Sequence, residues 1–346
     1  MTFQSLYGTP GEDTPVNRDT ALSIAAMEKG RNLITSLIGG MPLVAMKSGK
    51  PLELQPSLLT QLSPGTANYH TLVWIVDGMI FHGVSYLLIT SRTADGKPAS
   101  VQVVPHGEAE TKDGVLIRAF GKPVRAQDSI RVDAHHEGVL KRKSTIRTAL
   151  EIERASAEVG VNPVPQIVLN QIEGRDLRDD EIDGLLTRWR ANRRKRGGSV
   201  GYLTKGIKAE ALGQSAENLL INGLNWQVLQ VARLLGLPAH ILDGSVQGAS
   251  LNYTNAASRN QELLAAVDPY IKAIEATFSL FMPHGTVVRF DRTELIRPDT
   301  KQRYDEYEVG LRAGFLTVSE VREREGLSPL PEPEPTTDLP TTEDTE

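Results

Sequence analysis

The stretch from Asn255 to Met282 constrains the fold of this chain most. Leu264, Val267, Ile271, Ile274, Phe278 and Phe281 recur at intervals of three and four, which is the spacing of one apolar stripe on a long helix. Pro269 stands inside that stripe. Proline has no N–H and removes one helical hydrogen bond, so a bend is expected near Asp268-Pro269. A second long stripe comes just before it: Leu220, Leu224, Val228, Val231 and Leu235 predict a helix over Glu217 to Leu235, ended by Pro238. Between the two lies a polar run, and apart from Asp243 it has no charge. Two long helices thus hold a loop containing Gly244, Ser245, Gln247, Gly248, Ser250 and Asn252.

The rest of the chain mixes helices and short strands. From Asp19 a single helix is expected, with Ile24, Met27, Ile34 and Ile38 on one face interrupted by Arg31, ending at Gly39, Gly40 and Pro42. "TLVWIVDGMIFHG" reads as helical, and "SYLLIT" and "SVQVVP" read as strands around the turn dipeptide Asp95-Gly96. "GVLIRAF" follows Asp113-Gly114 as another strand. Ser144 to Gly160 predicts a helix with a rather polar face of Ala149, Ile152, Ser156 and Val159. Residues from about Asn162 to Leu212 read as strand, helix, strand: "QIVLNQ", then "DLRDDEIDGLLTRWRANRRKRGG" with acids first and bases last as the helix dipole favours, then "VGYLT". "GTVVRF" is a strand, and "LTVSEVREREGL" a helix with a Thr317–Glu320 capping box and Gly326 as C-terminal cap. From Ser328 the Pro, Thr and acidic tail has almost nothing to bury and reads as disordered.

Composition narrows the function classes. At 346 residues the chain exceeds what one core usually organises, so several parts are expected. It has no cysteine, hence no disulfide framework, thiolate nucleophile or Cys-based zinc site. No leader and no bilayer-length apolar run is visible, so the expectation is a soluble, intracellular protein without membrane contact. A net charge of −5 argues against a surface that grips phosphates everywhere. "GYLTKGIK" has phosphate-loop spacing, but Ile207 replaces the lysine and Lys208 the Ser or Thr. In "HHEGVL", His136 and Glu137 are followed by Leu140 where a zinc motif needs histidine. "GVSYL", "GQSAE" and "GASLN" lack the last glycine of a nucleophile elbow. The acids from Asp176 to Asp183 suit a helix start better than a metal-dependent nuclease. No cofactor, metal or catalytic residue is therefore assigned. Arg188, Arg190, Arg193, Arg194, Lys195 and Arg196, with Trp189 among them, form the one dense basic run, fit either to meet nucleic acid or an acidic partner or to remain a solvated helix end.

Read in order, "LIGGMPLVAM", "FHGVSYLLITSRTADGKPASVQVVP", "VARLLGLPAHILDG", "YTNAASRN", "VDPYIKAIE" and "GFLTVSEVREREGLSPL" resemble the portal proteins of tailed bacteriophages, siphophage-type head-to-tail connectors, up to about Leu330. Lys143 departs from the glycine-bearing turn expected there. The resemblance implies an α+β portal fold: an α/β wing, a two-helix stem, a small strand-helix-strand clip, a long kinked helix with a tunnel loop, a helical crown and a disordered C-terminal tail. Its parts would be a flexible arm at 1–18, wing at 19–143, first stem helix at 144–160, clip at 161–212 and second stem helix at 213–238. The tunnel loop would occupy 239–255, a wing helix and strand 256–296, the crown 297–330 and the tail 331–346. It implies a homo-oligomeric ring, usually a dodecamer, at the portal vertex of the virion capsid, assembled in the host cytoplasm. Double-stranded DNA would pass through it. Large terminase, major capsid or scaffolding protein and head-tail adaptor proteins would be its partners. Asp243 to Asn255 would narrow the channel, and the basic run in the clip would meet a partner or DNA. The alternative is a metal-dependent nucleic-acid-processing enzyme built on the acids from Asp176 to Asp183.

Overall fold

The computed structural model describes residues 15–161, 167–171, 178–193, 207–211, 216–242, 256–293 and 300–328. They fall into two units, one ending at Asp291 and one beginning at Arg292.

The first unit is built on packed helices. The single helix expected from Asp19 is in fact two, α1 (Arg18–Leu22) and α2 (Ala25–Gly39). The break has a local cause. Asn17 and Thr20 cap α1 reciprocally, and Ser23 Oγ donates back to the Thr20 carbonyl at 2.8 Å. Ile24 is then extended, which brings its side chain into the core with Met27, Ile34 and Ile38, all fully buried. α2 packs on α4 (Asn68–His82), following the short β1 (Leu43–Lys47), β2 (Lys50–Pro51) and α3 (Ser57–Thr60). Arg31, which breaks the apolar stripe of α2, is neutralised by α4: its Nε donates to Asp77 Oδ1 at 2.6 Å, while Arg18 Nε donates to Oδ2 at 2.7 Å. One carboxylate thereby ties α1, α2 and α4 together.

Three small antiparallel sheets attach to these helices. β3 (Val84–Arg92) lies between β4 (Pro98–Val104) and β8 (Ser129–Asp133), with Leu87 opposite both Val103 and Ile130. β5 (Ala109–Lys112), β6 (Val115–Ala119) and β7 (Lys122–Pro123) form a second sheet. Tyr86, Val104, Leu116 and Ala119 pack together between the two. In the third, β11 (Thr286–Phe290) pairs with β1 across most of the chain, Leu43 opposite Phe290. The free edge of β11 is covered by α8 (Ala256–Ser279): Val288 N–H donates to Ser279 Oγ at 2.8 Å and Phe290 N–H to Glu275 Oε1 at 2.9 Å. An edge strand left with bare N–H groups invites foreign pairing, and these two side chains prevent it. They also explain why Glu275 is buried.

Of the expected stripe on α8, Val267, Ile271, Ile274 and Phe278 are fully buried with Pro269 inside the helix, while Leu264 is partly buried and Phe281 lies past the helix end at Ser279. α5 (Lys143–Val161) and α7 (Ala216–Leu235) pack against each other, with Gln227 Nε2 donating to Glu153 Oε1 at 2.9 Å and Gly223 facing Ile152, and Ile146, Ala149, Val231, Ala232 and Leu235 are buried. α5 begins at Lys143 itself. Between the two helices in sequence lie β9 (Ile167–Gln171), α6 (Asp179–Arg193) and β10 (Ile207–Ala211). β9 pairs antiparallel with β10, Ile167 opposite Ala211. The strand expected at "VGYLT" lies outside the described residues; the partner of β9 starts at Ile207.

The second unit holds α9 (Thr300–Arg312) and α10 (Val318–Arg324). The Thr317–Glu320 capping box is formed, and Gly326 takes a left-handed φ of 68° at the helix end. There Leu327 N–H returns to the Arg322 carbonyl and Gly326 N–H to that of Glu323, which satisfies two orphan acceptors.

Candidate functional site

Asp243, Gly244, Ser245, Gln247, Gly248, Ser250 and Asn252 all lie outside the described residues; the structure describes the two roots that carry them. α7 ends at Leu235, where Gly236 turns with φ 69°, and a short 3-10 turn, Ala239–Leu242, leads to the last described residue. The return root is the start of α8.

Two features hold these roots. Leu235, Leu237 and Leu242 are buried against Gly30 of α2, which has room for no side chain: a Cβ there would collide with Leu235 Cδ1 and press on Leu242 Cδ2 at 3.3 Å. The glycine lets three leucines on the outgoing root seat directly on the α2 backbone. Across the gap, His240 Nε2 lies 3.4 Å from Glu262 Oε2. Both side chains are well exposed, so the contact adds little stability. Its value is geometric: it brings the outgoing root and the second turn of α8 within one side-chain pair.

α8 is anchored at a second point. Gly138 N–H donates to His136 Nδ1 at 2.9 Å, leaving the proton of the neutral ring on Nε2, which donates to Tyr270 Oη at 2.7 Å. His135 packs edge-on against both rings. Burial, with His135 adding to it, pushes His136 down to about 4; burial also raises Tyr270. The segment carrying His136 crosses the end of α4 backbone to backbone at two glycines. A Cβ on Gly83 would lie 2.5 Å from the Glu137 carbonyl carbon, and one on Gly138 2.5 Å from that of His82. His82 stacks on His106 with ring centroids 3.6 Å apart, and burial together with His106 pushes it down to about 4. These histidines are neutral packing groups. His136 and Glu137, weighed in the sequence only as part of a failed zinc motif, form a fastening.

The basic run divides. Arg188, Arg190 and Arg193 occupy the last turns of α6, and Arg194, Lys195 and Arg196 lie outside the described residues. At the other end of α6, Arg178 pairs with Asp180 and Glu181, and Arg178 N–H donates to Glu181 Oε2 at 3.1 Å. These acids work as a helix start, as the sequence suggested. Among the described residues no cluster of three or more His, Asp or Glu could hold a metal ion, and no helix is long and apolar enough to cross a membrane. The structure brings the two loop roots together. Gly30, His240, Glu262 and Tyr270 were missed in the sequence. His240, in "VARLLGLPAHILDG", and Tyr270, beside the singled-out Pro269, lay in stretches the sequence marked; Gly30 and Glu262 carried no signal.

Comparison with known proteins places this geometry in a family. The sequence model of the phage portal protein family matches residues 25–326. A protein of Streptomyces phage phiC31 described as a probable portal protein is 27% identical over 139 residues, 38% of this chain; the chain spans 30% of that relative's length. The crystal structure of an HK97-family phage portal protein from Corynebacterium diphtheriae superposes with a TM-score of 0.69 at 28% identity, covering 82% of this chain and 99% of that one. A chain in the neck of an empty gene transfer agent particle shares the fold at 16% identity, with a TM-score of 0.54 over 92% of this chain and 97% of its own.

Proposed function

This chain belongs to the phage portal protein family, and we propose that its copies close into a ring, dodecameric as is usual for the family, at one vertex of a capsid. The ring would be the channel for genome packaging and ejection. It would dock the large terminase during packaging and head-tail adaptor proteins afterwards, with capsid or scaffolding protein around it. The family is one of structural connectors, and two of the acids weighed for a metal-dependent nuclease, Asp180 and Glu181, are engaged with Arg178 at the start of α6. Energy for packaging must come from a separate ATPase.

In this reading the first stem helix is α5, the second is α7, and β9, α6 and β10 belong to the clip. The wing combines 19–143 with 256–296, and the crown is 297–330. Asp243 to Asn255 is the tunnel loop. The observation that carries the assignment is the pinched base formed by His240 and Glu262 over the Gly30 seat, which suits a loop projected from a fixed platform. Its composition suits the task. A lysine-lined constriction repeated around a ring would neutralise many phosphates and hold DNA through counterion release, whereas this loop touches without trapping. The basic end of α6 would face an acidic partner or line the channel mouth.

Light scattering and negative-stain imaging of the purified protein test the ring: closed rings with a central hole are expected, and a compact dimer with metal-dependent nuclease activity would overturn the reading. Gln247→Lys with Ser250→Lys should stall packaging; normal packaging by such virions removes the loop assignment. Charge reversal at Arg193, Arg194 and Arg196 should weaken motor docking, and unchanged docking would leave the channel mouth as their place.

A further inference from the structure

We propose that residues 1–14 of this chain return over α4 and seat Tyr7 in the cavity between α4 and the β3–β4 face. The cavity has a volume of about 820 Å³, within the range of pockets that enclose a ligand. Four rings, those of Trp74, His82, His106 and Phe120, stand on its walls among valines, prolines and polar side chains. His82 and His106 form a flat stacked pair, and Trp74 is half exposed. Phe120, a non-glycine residue held at a φ of 51°, keeps a partly exposed ring on the same lining. On this lining Thr71 is fully buried, and among the described residues its Oγ1 has no hydrogen-bond partner. Buried hydroxyls are normally paired, and a cavity with rings on its walls and one unpaired hydroxyl matches a phenol: ring against rings, hydroxyl to Thr71.

The occupant follows from where the chain enters. Pro15, the first described residue, is fixed by its carbonyl, which accepts from Thr20 Oγ1 at 2.9 Å. Three residues later Arg18 lines the cavity, reaching Asp77 and lying over the Phe81 ring. The preceding segment contains Tyr7, followed by Gly8, Pro10 and Gly11, residue types that permit turns. Tyr7 lies eight chain steps before Pro15, a reach of up to roughly 26 Å when extended. The family match begins at residue 25, so the segment lies outside what the family model accounts for. Being tethered at the rim, it competes at high effective concentration with any segment from another copy. The proposal does not depend on ring closure.

The test uses the full chain with Trp189→Phe and Trp226→Phe, which leaves Trp74 as the sole tryptophan. Acrylamide should quench Trp74 weakly. Deleting residues 1–14, or Tyr7→Ala, should raise quenching severalfold with unchanged far-UV circular dichroism, whereas Tyr7→Phe should keep most of the shielding. A synthetic peptide of residues 1–14 should restore shielding to the deleted chain, and its Tyr7→Ala version should not. Quenching indifferent to the deletion overturns the proposal. So does shielding that is lost on dilution to nanomolar protein, which would mean occupation by another copy. Hydrogen exchange of the α4 amides, faster after deletion, gives the same readout with the native tryptophans, should the reporter chain not fold.

Discussion

Helices α8 and α9 both carry apolar side chains, and they are held in opposite ways. On α8, Val267, Ile271, Ile274 and Phe278 are completely buried. On α9, Tyr304 is 55% and Val309 59% exposed, Phe315 just beyond is 70% exposed, and no hydrophobic residue among the described ones of this unit is buried. A polar clamp holds the second unit instead: Glu325 accepts from Arg303 Nη2 at 3.1 Å and from Tyr307 Oη at 2.9 Å. The hydrophobic effect scales with the apolar area removed from water, so α8 is held chiefly by burial, while 300–328 relies more on polar bonds beside the contact of Leu316 and Phe315 with Gly310. The contrast suits the proposed ring, in which a loop on a rigid base would face the channel and the exposed apolar side chains of the second unit would meet neighbouring proteins.

Truncation should separate the two units most sharply. Phe278→Ala should cost about 3–5 kcal/mol of unfolding free energy, read by urea denaturation, because it opens a cavity in a dense core. Phe315→Ala should change the same quantity by less than about 0.5 kcal/mol in the isolated chain. A large loss from Phe315→Ala would erase the distinction; a loss appearing only in assembled rings would sharpen it.

Polar substitutions come next. Glu275→Ala strips the cover from Phe290 N–H and removes the partner of Arg289, and should cost about 2–3 kcal/mol, since a buried donor is left unpaired. Glu325→Gln weakens the clamp on Arg303 and Tyr307 and should cost about 1 kcal/mol, confined to 300–328 and visible as faster amide exchange there. Spread of that faster exchange into α8 would mean that the units are energetically one.

Much of this division was legible in the sequence. The α8 stripe announced itself because three-and-four periodicity is a local signal, and so did the Thr317–Glu320 cap. The platform's closure was not legible. β1 is five residues whose partner β11 lies some two hundred and forty positions away, and nothing local announces the pairing of Leu43 with Phe290. Arg31 read as a flaw in a stripe because Asp77, which neutralises it, sits on another helix. Gly30 carries no local sign of the three leucines it admits, and the two-helix start at Ser23 and Ile24 is decided by a cap and a buried side chain together. For the site, the sequence marked the loop and the basic run; the pinched roots required His240 and Glu262 to meet across the residues between them.

Acidification should give the smallest effect and a difference in order. Burial holds His136 at about 4, against 6.5 for the free ring. Between those values the unfolded chain binds the extra proton and the folded one does not, so stability rises with pH across the window; it is complete above about 6.5 and is lost as pH falls toward 4. His82 acts in the same direction. In the second unit the Glu320 carboxylate, accepting from the Thr317 N–H and hydroxyl, is held below its usual value of 4.5. Its contribution is intact above 4.5 and fades only below. The first unit should therefore begin to loosen while the cap of α10 is still closed, and exchange measured peptide by peptide from pH 7 to 4 reads both. His136→Asn, which keeps an acceptor for Gly138 N–H without titrating, should flatten the slope of the first unit by about 1 kcal/mol after allowance for partial exposure. An unchanged slope in that variant would remove His136 from the account and leave the acid response to His82 and the carboxylates.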